Sequence, residues 1–266
     1  MKLSISNIAW AKAEDGAIYS LMKEYGYCGL EIAPTRIIEK EPYDAIDRAV
    51  SITKELYEKY QFSISSMQSI LFGKTERLFG SEDDRARLLD YIKKAIDFAA
   101  AIQCSSLVFG SPKNRLLENS SDARLAIPFF RAIGEYAYHK GCIISMEANP
   151  AVYGTNYITH TAEALLLVRE VGSWGFRINL DFGTILENQE RIDTLCETLQ
   201  YVQHIHISEP CLLPIRSRQE HKALATQLLL NNYNKYVSIE MKRDSMDPIG
   251  NVERALEYVA GIFGDE

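Results

Sequence analysis

The stretch "KLSISNIAWAKAEDGA" (residues 2–17) decides the fold. Its first half alternates polar and apolar side chains, the period of a strand with one face against a core. Its second half breaks that period and leads into helical spacing. Both rival α/β architectures, the doubly wound open sheet and the closed barrel, begin with a strand that passes into a helix. The open sheet normally follows its first strand with a glycine-rich phosphate loop of the form G-x-G-x-x-G. The segment "NIAWAKAEDGA" (7–17) has no such loop, so the barrel is favoured.

The same unit recurs along the chain. β-type runs stand at 2–10, 27–33, 62–70, 105–110, 142–148, 175–182, 202–208 and 236–242. Segments with helical spacing follow them at 15–25, 43–60, 83–102, 121–139, 159–172, 188–200, 218–232 and 250–262. Within 83–102, Leu88, Leu89, Ile92, Ala95, Ile96 and Ala99 fall at the i, i+3, i+4 spacing of a one-sided helix. Strict alternation predicts a parallel sheet with crossover helices. Eight such units in 266 residues match the size of a (β/α)8 TIM barrel. No Ser/Gly/Pro-rich linker interrupts the pattern, and one α/β domain over 1–266 is expected.

Composition narrows the function. Hydrophobic content of 47% with 24% charged residues is that of a soluble globular protein. A net charge of −7 argues against a broad nucleic-acid-binding surface. No run approaches the roughly 18 apolar residues of a membrane span, and "MKLSISNIAW" lacks the apolar core of a signal peptide. The five cysteines (28, 104, 142, 196 and 211) show no metal-like pairing. Cys28, Cys104 and Cys142 open or precede apolar runs, as buried free thiols do, and a reducing cytoplasm is the expected compartment.

A barrel interior is normally filled by Val, Ile and Leu, so a charge there is costly unless paired or metal-bound. Each of the last four strands nevertheless carries a candidate ligand near its C-terminal end, where barrel active sites lie. These are Glu147 in "ISMEANP", Asp181 in "INLDFG", His206 in "HIHISEP" and Glu240 in "VSIEMK". They follow one another at 34, 25 and 34 residues, about one strand–helix unit per step. Three carboxylates and an imidazole on one spot repel one another unless a divalent cation joins them. Mixed oxygen and nitrogen donors suit Mn²⁺, Mg²⁺, Co²⁺ or Zn²⁺, and the lack of cysteine argues against a structural zinc site. Any one acid alone reads as a loop hydrogen-bond acceptor; the set of four carries the inference. His204 shares the face of His206, one layer deeper.

The order Glu, Asp, His, Glu on strands five to eight resembles the xylose isomerase-like barrel superfamily, in its sugar and sugar-phosphate isomerase/epimerase branch. "GLEIAP" (29–34), "GSPKNR" (110–115), "SMEANPAVYGTNYI" (145–158), "NLDFGT" (179–184), "HISEP" (206–210) and "VSIEMK" (237–242) carry the likeness, which covers nearly the whole chain. It implies that Glu147, Asp181, His206 and Glu240 bind one Mn²⁺-like ion. It implies further that Glu147 and Glu240 are catalytic and exchange a proton beside a chelated carbonyl. A small-molecule sugar or sugar phosphate is then the substrate, and a homo-oligomer is expected. Three positions depart from the pattern. Thr184 stands where a histidine follows the aspartate, Tyr153 where ketose 3-epimerases carry a glutamate, and Leu212 where they carry an arginine.

Substrate contacts are expected from Glu31 at the end of strand two and from Ser111, Lys113 and Arg115 in "GSPKNR". Glu209 beyond strand seven and His221 at the start of the seventh helix complete the set. Lys113 and Arg115 suit a phosphate or carboxylate, with a solvated basic turn as the alternative. Trp10 offers a stacking face, with burial as its alternative. His139 and His160 lie in helical stretches and receive no role. Two other activities use related centres. A keto-cyclitol dehydratase needs the same four ligands, whereas a DNA-repair endonuclease with three zinc ions needs more histidines than the five present. A barrel that binds sugar or metal without catalysis is the reading from a different class.

Overall fold

The computed structural model describes residues 1–264; residues 265–266 of the domain expected over 1–266 lie outside the described residues. Eight parallel strands close into a barrel in sequence order. They are β1 (Lys2–Ser6), β2 (Gly29–Ile32), β3 (Ser63–Met67), β4 (Ser106–Phe109), β5 (Ile143–Glu147), β6 (Phe176–Asp181), β7 (Val202–Ser208) and β8 (Tyr236–Glu240). The ring shuts where β1 pairs with β8, from Lys2 opposite Tyr236 to Ile5 opposite Ile239. The helices are α1 (Asp15–Glu24), α2 (Pro34–Ile37), α3 (Ile46–Tyr60), α4 (Glu82–Ala101), α5 (Ala126–His139), α6 (Thr161–Val171), α7 (Phe182–Glu187), α8 (Cys196–Leu199), α9 (Gln219–Leu230) and α10 (Pro248–Phe263).

Local chemistry explains the boundaries. Ser81 and Asp84 bond reciprocally to each other's backbone N–H and start α4. Pro248 opens α10 behind Asp247, whose carboxylate accepts from Gly250 N. The sixth crossover departs from the helix expected at 188–200. Its helix begins at once, at Phe182, because the Asp181 side chain accepts from Thr184 N and caps it. Gln189 then enters the left-handed region at φ 53°, and only Cys196–Leu199 of the expected range is α-helical.

The apolar core lies between strands and helices. Leu3, Ile5, Leu30, Ile144, Ile178, Leu180, Ile205, Val237 and Ile239 are buried against the helical layer. There the Phe130 ring of α5 stacks on Phe176 of β6, centroids 4.9 Å apart. Gly175, just before β6, lets α5 approach closely, since a side chain there would lie 2.0 Å from the Gly134 carbonyl oxygen.

The inner face departs from the usual Val/Ile/Leu filling. Residues that alternate with the apolar ones, and so point inward, include Ser4, Ser106, Ser145 and Ser238, all buried. Ser4 Oγ meets Ser65 Oγ at 2.6 Å. Small hydroxyl side chains leave the interior wide enough for Glu31, His204 and Asn179 to lie inside it, all buried. Register shifts at Leu30/Glu31 and at Ile178/Asn179 fall beside three of these residues, since Asn179 pairs with His204. Such irregularities re-aim side chains near sites.

Candidate metal centre

β5, β6 and β8 end on Glu147, Asp181 and Glu240. His206 lies two residues before the end of β7, on the same face as Ser208 above it and His204 below it. The register sets Asp181 beside His206, Asn179 beside Glu147 and Ser208 beside Glu240. One donor atom from each of Glu147, Asp181, His206 and Glu240 then lies within 4.8 Å of the others. His206 Nδ1 is 2.9 Å from Glu147 Oε1 and 3.2 Å from Glu240 Oε2.

The electrostatics of this cluster call for a cation. Burial, aided by the Glu147 charge, pushes the Asp181 carboxyl up to about 6 against the pull of His206, Ser208 and Thr184. Burial, aided by Glu147 and Glu31, pushes Glu240 up to about 7 against the pull of His206. Burial also raises Glu147, but hydrogen bonds and attraction from His206, Asn149 and Arg115 outweigh it and leave the group low. His206 is drawn well above its ordinary value, because Glu31, Glu240 and Glu147 overcome its burial. Without added positive charge the cluster must hold protons. Three carboxylates, one imidazole and no thiolate fit a divalent cation such as Mn²⁺ or Mg²⁺.

A further layer fixes the imidazole. Glu31 Oε2 lies 3.1 Å from His206 Nε2 and 2.6 Å from His204 Nε2. Burial opposes ionisation of Glu31, yet the two histidines hold it below the usual carboxylate range. An ionised carboxylate only accepts hydrogen bonds, so both Nε2 atoms carry hydrogen. In neutral His206 that leaves the Nδ1 lone pair on the side of Glu147 and Glu240, the arrangement a metal-ligating histidine needs.

The carboxylates are held in the same way. Asn179 Nδ2 donates to Glu147 Oε1 at 2.7 Å, and Asn149 Nδ2 to Glu147 Oε2 at 2.9 Å. Arg115, fully buried, donates from Nη2 to Asn149 Oδ1 at 2.5 Å. Burial lowers its guanidinium to about 10 while Glu147 opposes the shift. Ser208 Oγ donates to Asp181 Oδ1 and accepts from Gly183 N. Thr184 Oγ1 lies 2.8 Å from both Asp181 Oδ2 and the Ala148 carbonyl oxygen.

Above the cluster lies a cavity of about 450 Å³, into which Glu147, Asp181 and Glu240 open. Of the expected substrate contacts, Ser111, Lys113 and Glu209 line it. Glu209 is engaged, accepting from Arg218 Nε at 2.7 Å and Nη2 at 2.5 Å. The structure does not bring Glu31, Arg115 or His221 to the cavity wall. Glu31 lies beneath the histidines and Arg115 behind Asn149, both because their charges find buried partners there. His221 packs its ring 4.4 Å from Phe182 and meets Tyr258 Oη at 3.0 Å. Trp10 is buried, with its Nε1 donating to Asp15 Oδ1. Asn149, Asn179 and Ser208 were not among the expected residues. Asn179 and Ser208 share a strand face with Asp181 and His206, a period-two signal that would have found them.

A family profile described as xylose isomerase-like TIM barrel matches residues 19–262. A search of curated proteins finds no match. Among solved structures, 3-keto-D-glucoside 4-epimerase from E. coli superposes with a TM-score of 0.80 at 18% identity, covering 98% of this chain and 99% of that one. D-psicose 3-epimerase from Clostridium cellulolyticum, solved with D-tagatose, gives 0.81 at 14% identity over 100% of both chains. A sugar phosphate isomerase/epimerase from Parabacteroides distasonis gives 0.75 at 16% identity, over 99% and 95%. At these identities the likeness is one of fold.

Proposed function

The chain belongs to the xylose isomerase-like TIM-barrel family, and we propose that it is a divalent-metal-dependent sugar isomerase or epimerase. The observation that carries the proposal is the convergence of Glu147, Asp181, His206 and Glu240 within 4.8 Å at the floor of a cavity. The sugar epimerases among its structural relatives support the substrate class.

A divalent cation held by these four residues would supply Lewis acidity at a substrate carbonyl oxygen. Glu147 and Glu240 reach the cavity from two different strands, and carboxylates so placed move a proton at the carbon beside that carbonyl. One accepts the proton and the other returns it, which inverts the carbon; return to the neighbouring carbon isomerises the sugar instead. Asn179, Asn149 and Arg115 hold the Glu147 carboxylate in one orientation, as a proton-transfer group needs. Glu31 holds His206.

The test is isotope exchange. The Mn²⁺-loaded protein is incubated in D₂O with a panel of ketoses and keto-glycosides and followed by NMR. Deuterium should enter the carbon beside the carbonyl with the parent protein, and Glu147→Gln and Glu240→Gln should each lose at least about a hundredfold in rate. Exchange that survives both substitutions, or no exchange with any sugar, contradicts the proposal. Loss of water from the sugar would mark a dehydratase.

A further inference from the structure

The cavity is divided in chemistry. Its floor carries the three carboxylates, while its upper wall carries Phe72 from the β3–α4 loop, Tyr153 from the β5–α6 loop and Leu212 from the β7–α9 loop. Phe72 is 69% exposed and lines the same cavity as Tyr153 and Leu212, so the apolar surface there is grouped rather than scattered. Leu212 stands where two consecutive non-glycine residues, Cys211 at φ 60° and Leu212 at φ 53°, adopt left-handed backbone. Such conformations are disfavoured and persist where surrounding contacts impose them. Here Cys211 N donates to Tyr153 Oη at 2.7 Å, Leu212 N to the Glu209 carbonyl at 2.9 Å and Lys242 N to the Leu212 carbonyl at 2.9 Å. The Tyr153 phenol is thereby tied to the Cys211–Leu212 backbone, whose own conformation is fixed on both sides.

The polar side chains around the same space are mostly engaged with protein. Gln68 Nε2 donates to Ser6 Oγ and its Oε1 accepts from Ser69. Asn114 bonds the Lys74 and Glu76 carbonyls, Asn149 is held between Arg115 and Glu147, and Glu209 is paired with Arg218. Lys74 Nζ is paired with Glu41 Oε1 at 3.5 Å and Glu240 with His206. Among the described residues, Ser111 and Lys113 are the lining side chains whose polar groups make neither a hydrogen bond nor an ion pair with protein. That is little with which to read the hydroxyls of a second polar half. The volume of about 450 Å³ falls in the range, roughly 300–1,000 Å³, that accommodates drug-sized ligands.

We propose that Phe72, Tyr153 and Leu212 form a subsite for an apolar or aromatic aglycone, so that the substrate is a glycoside with an apolar substituent rather than a free sugar or a sugar phosphate. This rests on the sugar-isomerase reading of the floor. The sugar ring lies toward the carboxylates, and the aglycone covers Phe72 and packs against the Tyr153 and Leu212 side chains. Apolar burial there supplies affinity that the sparse polar wall does not.

The test is calorimetric titration with phenyl and methyl D-glucopyranosides, as both anomers, and with glucose 6-phosphate, with and without Mn²⁺. At least one phenyl glucoside should bind about tenfold or more tightly than its methyl counterpart, the gain expected from burying a ring. Leu212→Ser and Phe72→Ser should each shrink that advantage to about twofold or less, while Mn²⁺ affinity stays at the parent value. Equal binding of phenyl and methyl glucosides, tightest binding of glucose 6-phosphate, or no glucoside binding at all overturns the subsite. Failure to take up Mn²⁺ counts instead against the metal reading, so the two failures are distinguishable.

Discussion

Glu31 Oε2 lies within 3.1 Å of two imidazole nitrogens, and replacing its carboxylate by an amide alters both contacts at once. Glu31→Gln keeps the shape and an acceptor oxygen but removes the negative charge that both imidazoles share. The expected outcome is a Mn²⁺ dissociation constant raised about 10–100-fold, with an unchanged circular dichroism spectrum. An unchanged constant would show that the His206 tautomer is set by other contacts. The carboxyls pushed up to about 7 at Glu240 and about 6 at Asp181 give a second expectation. Their protons must leave before a cation binds. Affinity for Mn²⁺ should therefore rise with pH through about 7 and go on rising while His206, itself drawn well above its ordinary value, gives up its proton. A flat profile from pH 5 to 8 contradicts the cluster's electrostatics. The four residues at the centre were legible as ionisable groups closing apolar runs. Glu31 and Arg115 were legible only as charges near the ends of strands. What they touch lies 173 and 34 residues away, across the barrel or in the next strand's loop, and no local pattern reports that.

At the scale of elements, α9 packs through a histidine. His221 is buried against Phe182 and Phe263, with Nδ1 on the Tyr258 hydroxyl, and burial pushes its imidazole down to about 4. The unfolded chain, with an ordinary imidazole near 6.5, binds more protons between about 4 and 6.5, so this residue costs stability as pH falls through that window. His221→Phe should flatten the fall of unfolding free energy over pH 6.5 to 4, by up to about 1.4 kcal/mol per pH unit. A parallel shift of the whole profile would place the effect in packing alone. Periodicity read the long helices well because a one-sided apolar stripe is what a barrel's outer layer requires. It placed the sixth crossover too late. The helix there starts on the Asp181 cap, and a carboxylate read as a cation ligand did not also read as a helix start.

At the scale of the molecule, the count of eight units and the absence of a phosphate loop were enough to separate a closed ring from an open sheet. The serine-lined interior was not anticipated. Alternation in "SIS" or "VSIE" tells that two faces differ, but not that the polar one faces inward, since both faces are covered in a barrel. The serine-lined, polar interior is what leaves room for a second buried layer of Glu31, His204 and Asn179 beneath the four strand-end residues. A ligand that binds only the folded barrel stabilises it by mass action. Mn²⁺ at about a hundred times its dissociation constant should add about 2.7 kcal/mol and raise the melting temperature by several degrees, and a chelator should reverse the gain. A melting curve indifferent to both would mean that the cluster closes without metal.

The most direct measurement is a Mn²⁺ titration of metal-stripped protein beside His206→Ala and Asp181→Asn. One tight site per chain, weakened at least about tenfold in each variant, is expected if the four strand-end residues form the metal centre on which the proposed chemistry depends. No site in the parent protein, or a site that both variants retain at full affinity, contradicts it.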